Sequence, residues 1–192
     1  MTQPRTVAVL VGSLRKDSAS RKLAKAFAAL APANLKFDFV EIGGLPHFDQ
    51  DLEIDPPAEW TAFRDRVGSA DAVLFVTPEY NRSVPGVLKN AIDVGSRPYG
   101  QSVWNAKPGA VVSLSPGAVG GFGANHHLRQ SLVFLNVPLL SLEAYVGNAF
   151  ALFDDTGELV SDSTTEFLRG YAAAFAEWIE RIAPADQARK AA

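Results

Sequence analysis

Val7-Ala8-Val9-Leu10-Val11 is an unbroken apolar run that opens onto Gly12-Ser13-Leu14-Arg15-Lys16-Asp17-Ser18-Ala19-Ser20. A strand with one wet face alternates apolar and polar residues. A run without alternation predicts a strand buried on both faces, as in a parallel sheet covered by helices on each side. Ala72-Val73-Leu74-Phe75-Val76 repeats the pattern, and Ala110 to Leu114 gives another strand. Leu35 to Ile42 instead sets Phe37 and Phe39 among charged Asp38 and Glu41, predicting an outer strand. A fifth strand is placed around Leu139 to Leu142.

Helical patterns fill the intervals. Ser20 to Ala31 carries Leu23, Ala26, Phe27 and Leu30 at helical spacing and stops at Pro32. Ala58 to Val67, Pro85 to Gly95 and Ala124 to about Leu135 are the next helices, with Pro85 suited to a first turn because its missing N–H costs nothing there. Ser161 to Ile182 closes the chain as a long amphipathic helix with Leu168, Tyr171, Phe175 and Ile179 in its stripe. Gly43 to Pro57 is a long Gly/Pro/Asp-rich loop of the kind that carries function. Strands alternating with helices predict a doubly wound parallel sheet. Five strands in 192 residues point to a flavodoxin-like α/β fold, a single domain over 1–192 with 183–192 as a frayed tail.

Composition narrows the function. The formal charge of -3 argues against nucleic acid as the main partner, since phosphate-backbone binding needs a basic face. The chain contains no cysteine, which removes disulfides, thiolate metal sites and cysteine nucleophiles. No apolar run approaches the roughly 20 residues that span a bilayer, and no secretory signal pattern is visible. The expectation is a soluble cytoplasmic protein with neither membrane nor nucleic acid as partner.

The loop after the first strand offers one glycine, three serines and an arginine just before a helix amino terminus, where unpaired N–H groups and the helix dipole favour an anion. Ser13, Ser18 and Ser20 can donate hydroxyls and Arg15 a charge-assisted bond. Neither a Gly-Lys-Ser/Thr ending nor a Gly-x-Gly-x-x-Gly is present, so a monophosphate fits better than a diphosphate. The alternative is a polar turn in which Ser18 or Ser20 caps the helix. The loop after the third strand, Thr77-Pro78-Glu79-Tyr80-Asn81-Arg82-Ser83, sets an aromatic ring beside hydrogen-bonding groups. Tyr80 can pack on a ring system, Asn81 can bond an imide edge, and Pro78 shapes the turn. Glu79 is read as a brace accepting backbone N–H bonds. Ser115-Pro116-Gly117, after the fourth strand, is small enough for a ring to approach the backbone. Together the loops suggest a phosphorylated planar cofactor, with flavin mononucleotide the leading candidate.

Gly12-Ser13-Leu14-Arg15-x-x-Ser18, the stretch Thr77-Pro78-Glu79-Tyr80-Asn81-x-Ser83-Val84-Pro85-Gly86-x-Leu88-Lys89-Asn90-Ala91-Ile92-Asp93, and the later Gly120-Gly121 with His127-Leu128-Arg129-Gln130 resemble the NAD(P)H-dependent FMN reductase family, which includes bacterial quinone and chromate reductases. The resemblance covers roughly residues 6 to 180. One departure is Ser20, where the family often has Asn; a serine hydroxyl still reaches phosphate. The resemblance implies bound FMN, NADH or NADPH as electron donor, a small-molecule acceptor such as a quinone, flavin, chromate or azo compound, and a homodimer or homotetramer. The cofactor carries the chemistry, so no catalytic side chain is expected. His126 and His127, adjacent on a helix, point apart and are not expected to hold a metal. Two rival readings stand beside the enzyme: a flavodoxin-like electron carrier, and a non-catalytic α/β interaction scaffold.

Overall fold

The computed structural model describes residues 4–183. Five parallel strands, β1 (Arg5–Val11), β2 (Leu35–Phe39), β3 (Ala72–Pro78), β4 (Gly109–Leu114) and β5 (Ala144–Val146), form one sheet in the order β2-β1-β3-β4-β5. Five helices connect and flank them: α1 (Ala19–Leu30), α2 (Ala58–Ser69), α3 (Gly86–Gly95), α4 (Phe122–Phe134) and α5 (Asp162–Ile182). This is the flavodoxin-like, doubly wound arrangement in a single domain.

The unbroken apolar runs have a direct physical cause. Side chains alternate across a strand, and both faces of the central strands are covered. Val7, Val9, Val11, Leu74, Val76 and Val112 pack toward α1 and α5. Ala8, Leu10, Val73, Phe75 and Val111 pack toward α2, α3 and α4. The edge strand β2 is only half buried, as its charged positions foretold. Its ladder ends at Phe39 rather than Ile42, although Val40 N–H still reaches Val9 O.

The fifth strand is displaced. Leu139 makes only an isolated bridge to Gly109, and the true pairing, Ser113 opposite Tyr145, begins after Leu142. The carbonyls of Leu140 and Leu142 accept from the Arg129 guanidinium at 2.9 and 2.6 Å, while the Tyr171 hydroxyl lies 3.1 Å from Val111 O and 3.3 Å from Leu142 O. Pro138 O and Leu140 N–H still bond Gly109, at 3.1 and 2.8 Å, but the next carbonyls turn to Arg129. Ala183, expected at the start of the tail, caps α5 with its N–H on Ile179 O; Pro184 to Ala192 lies outside the described residues. The long 43–57 loop is clamped by the Asn90 side chain, whose oxygen accepts from Phe48 N–H at 2.8 Å and whose nitrogen donates to Pro46 O at 3.1 Å.

Candidate functional site

The sheet order places the connections after β1, β3 and β4 side by side at the carboxyl ends of the strands, where open α/β sheets bind ligands. They converge on a cavity of about 210 Å³. Ser13, Arg15, Ser18 and Ser20 line it from the first loop, Pro78, Glu79 and Tyr80 from the second, and Ser115 from the third. Asn81 and Gly117 do not reach its wall.

The first loop is held close to the sheet. Gly12 N–H donates to Val76 O at 2.9 Å, and a Cβ on Gly12 would stand 3.0 Å from Thr77 Oγ1 and 3.2 Å from Leu88. A side chain at position 12 would have to push Thr77 and Leu88 aside, so glycine eases the turn's close passage beside β3. Ser18 then caps α1, its Oγ accepting from Arg21 N–H at 3.1 Å, which leaves its own proton to donate. The capping reading of Ser18 and the phosphate reading are therefore compatible. Ser13, Ser18 and Ser20 are all buried. Among the described residues, the hydroxyls of Ser13 and Ser20 make no hydrogen bond, nor does exposed Arg15. Hydroxyls with spare hydrogen-bonding capacity at a cavity wall can donate to a ligand. With a helix amino terminus and a guanidinium beside them, they suit a phosphomonoester.

The second loop is a tight two-residue hairpin. Tyr80 and Ser83 exchange both backbone hydrogen bonds at 2.9 Å, and Asn81 and Arg82 take left-handed φ values of 50° and 63°. This is the mirror-image turn geometry that favours Asn and Gly, so Asn81 acts through the backbone, turning the chain so that Tyr80 meets the cavity. Glu79 braces this hairpin as expected: Oε2 accepts from Ala124 N–H at 3.2 Å and Oε1 from Arg82 at 3.2 Å. Its carboxylate thus sits on an unpaired N–H of the α4 amino terminus, which the helix dipole favours. His127 bonds Ser83 Oγ through Nδ1 at 3.0 Å, while His126 engages Tyr145 at 2.9 Å, so the adjacent histidines serve different partners.

The third loop folds on itself. Gly117 O accepts from the Ser115 hydroxyl at 3.0 Å and from Asn148 N–H at 3.3 Å, which turns Gly117 to internal bonding. Two lining residues were not read from the sequence: Ala149 and Phe150, in a short turn after β5. Ala149 N–H donates to Ser115 O at 3.1 Å and fastens that turn to the third loop, while the Phe150 ring stays exposed at the cavity mouth. Displacing β5 in the sequence reading hid this fourth connection.

The chain resembles known proteins along nearly its full length. The profile of a family described as NADPH-dependent FMN reductase matches residues 5–151. A quinone reductase of Pseudomonas putida is 59% identical over 182 residues, 94% of this chain and 97% of that protein. A 2-hydroxy-1,4-benzoquinone reductase from Burkholderia sp. is 47% identical over 174 residues, 90% and 95% of the two chains. Among solved structures, the flavoenzyme NAD(P)H:(acceptor) oxidoreductase FerB of Paracoccus denitrificans superposes with a TM-score of 0.88 at 44% identity, covering 94% of this chain and all of its own.

Proposed function

Because the chain belongs to the NADPH-dependent FMN reductase family, it is an FMN-dependent NAD(P)H oxidoreductase, and we propose that its acceptors are quinones. The observation that supports this placement of the cofactor is the cavity itself, where three separate connections bring together serine hydroxyls, a guanidinium and a ring-bearing hairpin.

When bound, FMN supplies the hydride chemistry, accepting from the nicotinamide and returning electrons to the acceptor. The chain holds and orients it. We assign Ser13, Ser18, Ser20 and Arg15 to the phosphate, with the α1 amino terminus supplying the favourable field. Pro78 and Tyr80 border the planar end, Asn81 sets the turn that presents them, and Glu79 fixes that turn against α4. Ser115 and Gly117 shape the opposite wall. The buried end of β4, Leu114, supplies an apolar patch of the wall.

The enzyme is further proposed to work in the cytoplasm, where its nucleotide donor is found; no helix among the described residues is long and apolar enough to cross a membrane. It is proposed to form a homodimer. Helices α3 and α4 leave a groove of about 770 Å³ between them, with Val84, Ile92 and Leu135 beside polar Lys89, Asp93 and Gln130. Phe134 stands at this groove 88% exposed, with Val133 beside it also exposed. Contiguous apolar exposure of this kind marks association surfaces, and a second copy of the same face fills it symmetrically. Sedimentation of Phe134→Asp as a monomer supports this arrangement; an unchanged oligomer removes it.

The activity is tested on purified protein supplied with excess FMN. Flavin colour, rapid bleaching by NADH or NADPH without a protein partner, and steady nucleotide oxidation with a quinone are the expected results. Binding without bleaching would leave an electron carrier, and no flavin binding would leave a scaffold.

A further inference from the structure

Asn125, in the first turns of α4, is completely buried yet does not reach the cavity. Its carboxamide oxygen accepts from Arg129 Nε at 3.1 Å. Its nitrogen donates to Ser113 Oγ at 3.1 Å and to Ala144 O at 3.2 Å. A guanidinium only donates, so Arg129 decides which way round the amide stands. Arg129 is itself held by the carbonyls of Leu140 and Leu142. Both amide protons of Asn125 are then committed, one to the serine oxygen and one to the Ala144 carbonyl.

Ser113, also fully buried, has a single proton to place. Its Oγ lies 2.8 Å from Gly120 O and 3.4 Å from Ala144 O. Asn125 already serves Ala144, so the proton goes to Gly120. Gly120 has a left-handed φ of 63° and lies so close to β5 that an added Cβ would stand 2.7 Å from the Tyr145 carbonyl carbon. A directed relay of donors therefore runs from Arg129 through Asn125 and Ser113 to a carbonyl of the loop whose first residues, Ser115 and Pro116, line the cavity. Buried networks of this sort act as units, because reversing one member reverses the next.

We propose that Asn125 is a positioning residue for the cofactor site: by directing the Ser113 hydroxyl at Gly120, it sets the conformation of the 115–121 loop and hence the fit of FMN. The proposal rests on the flavin reading above. Neither Asn125 nor Ser113 lines the cavity, so both act only through the loop.

The test is titration of the full chain with FMN, followed by flavin fluorescence, together with the reduction potential of the bound flavin. In Asn125→Asp the donor becomes an acceptor, and the Ser113 proton turns from Gly120 to the carboxylate. Loss of one such bond corresponds to about a ten-fold rise in Kd, with a shift in potential. Ser113→Ala should match it, and the double variant should be no more than about two-fold weaker than either, since both cut the same relay. Arg129→Met, at a half-buried position, frees the amide to turn over and should raise Kd about three-fold, on the order of a fraction of one hydrogen bond. Wild-type Kd and potential in these variants, with only thermal stability lowered, overturn the proposal. If the two buried variants do not fold, Arg129→Met decides alone, and an unchanged Kd there has the same force. A wild-type chain that binds no FMN refutes the flavin reading instead.

Discussion

The carboxylate of Glu79 accepts the backbone N–H of Ala124, joining the hairpin after β3 to the first turn of α4 across 45 residues of sequence. One oxygen holds the helix and the other holds Arg82, so the pair of bonds keeps a strained two-residue turn in place. Glu79→Ala should weaken FMN binding by roughly ten-fold through a loosened hairpin, the scale of a lost charge-assisted bond. Glu79→Gln, whose amide oxygen still accepts from Ala124, should stay within about three-fold of the wild type. Fluorescence titration measures both, and equal affinities in the two variants contradict the bracing role.

The phosphate assignment makes a stronger demand. Ser13→Ala combined with Arg15→Ala removes one hydroxyl and one guanidinium from the same wall. FMN affinity should fall by about an order of magnitude or more, while riboflavin, which has no phosphate, should be unaffected. Parallel losses for both ligands would place the phosphate elsewhere.

Phe150 is 74% exposed at the cavity mouth on a turn anchored to Ser115. An aromatic so placed gains by covering a bound ligand. Phe150→Ala should leave melting of the ligand-free chain almost unchanged and raise the FMN dissociation rate several-fold, about 1 kcal/mol of lost apolar cover. Stopped-flow release of the flavin reads this directly; a fall in stability with no change in release rate contradicts it.

Acid should destabilise the fold through its outer ion pairs. Hydrogen bonds from Arg66 hold the Asp38 carboxyl below its ordinary range, and those from Arg21 do the same for Glu41. A depressed folded-state pKa favours the native chain above the unfolded value of about 4 and loses that contribution as pH falls through the lowered one. Thermal melts between about pH 6 and pH 2 should decline. Asp38→Asn should flatten that slope, and an unaltered slope shows that the pair is screened out by solvent.

Much of this molecule was legible from its letters because its central strands are buried on both faces. Val7 to Val11 and Ala72 to Val76 have no wet side to encode, so their runs announce themselves. The capped ends of α1 and α5 are equally local, each set by a serine three residues before the N–H it accepts. The displaced β5 was not legible, since Arg129 of α4 takes the Leu140 and Leu142 carbonyls from a distant element. Leu139 to Leu142 has the composition of a strand, yet its pairing with β4 stops at a single bridge to Gly109. The same limit hid Phe150, whose place at the cavity follows from where β5 really ends. Eight of the ten expected site residues meet at one cavity because turn chemistry and strand ends are local features. Asn125 was invisible for the opposite reason, since nothing in its neighbourhood distinguishes a relay from an ordinary helical asparagine.

At the end of the sheet away from the cavity, Arg5 at the start of β1 reaches Asp71, just before β3, at 3.3 Å, and Glu180, near the end of α5, at 3.0 Å. Asp71 also accepts Thr6 N–H at 2.8 Å. That clasp gathers the beginnings of two central strands and the last helix, and it shares no residue with the cavity wall. Loop tips at the cavity can therefore change without disturbing the clasp that holds the far end of the sheet to its last helix.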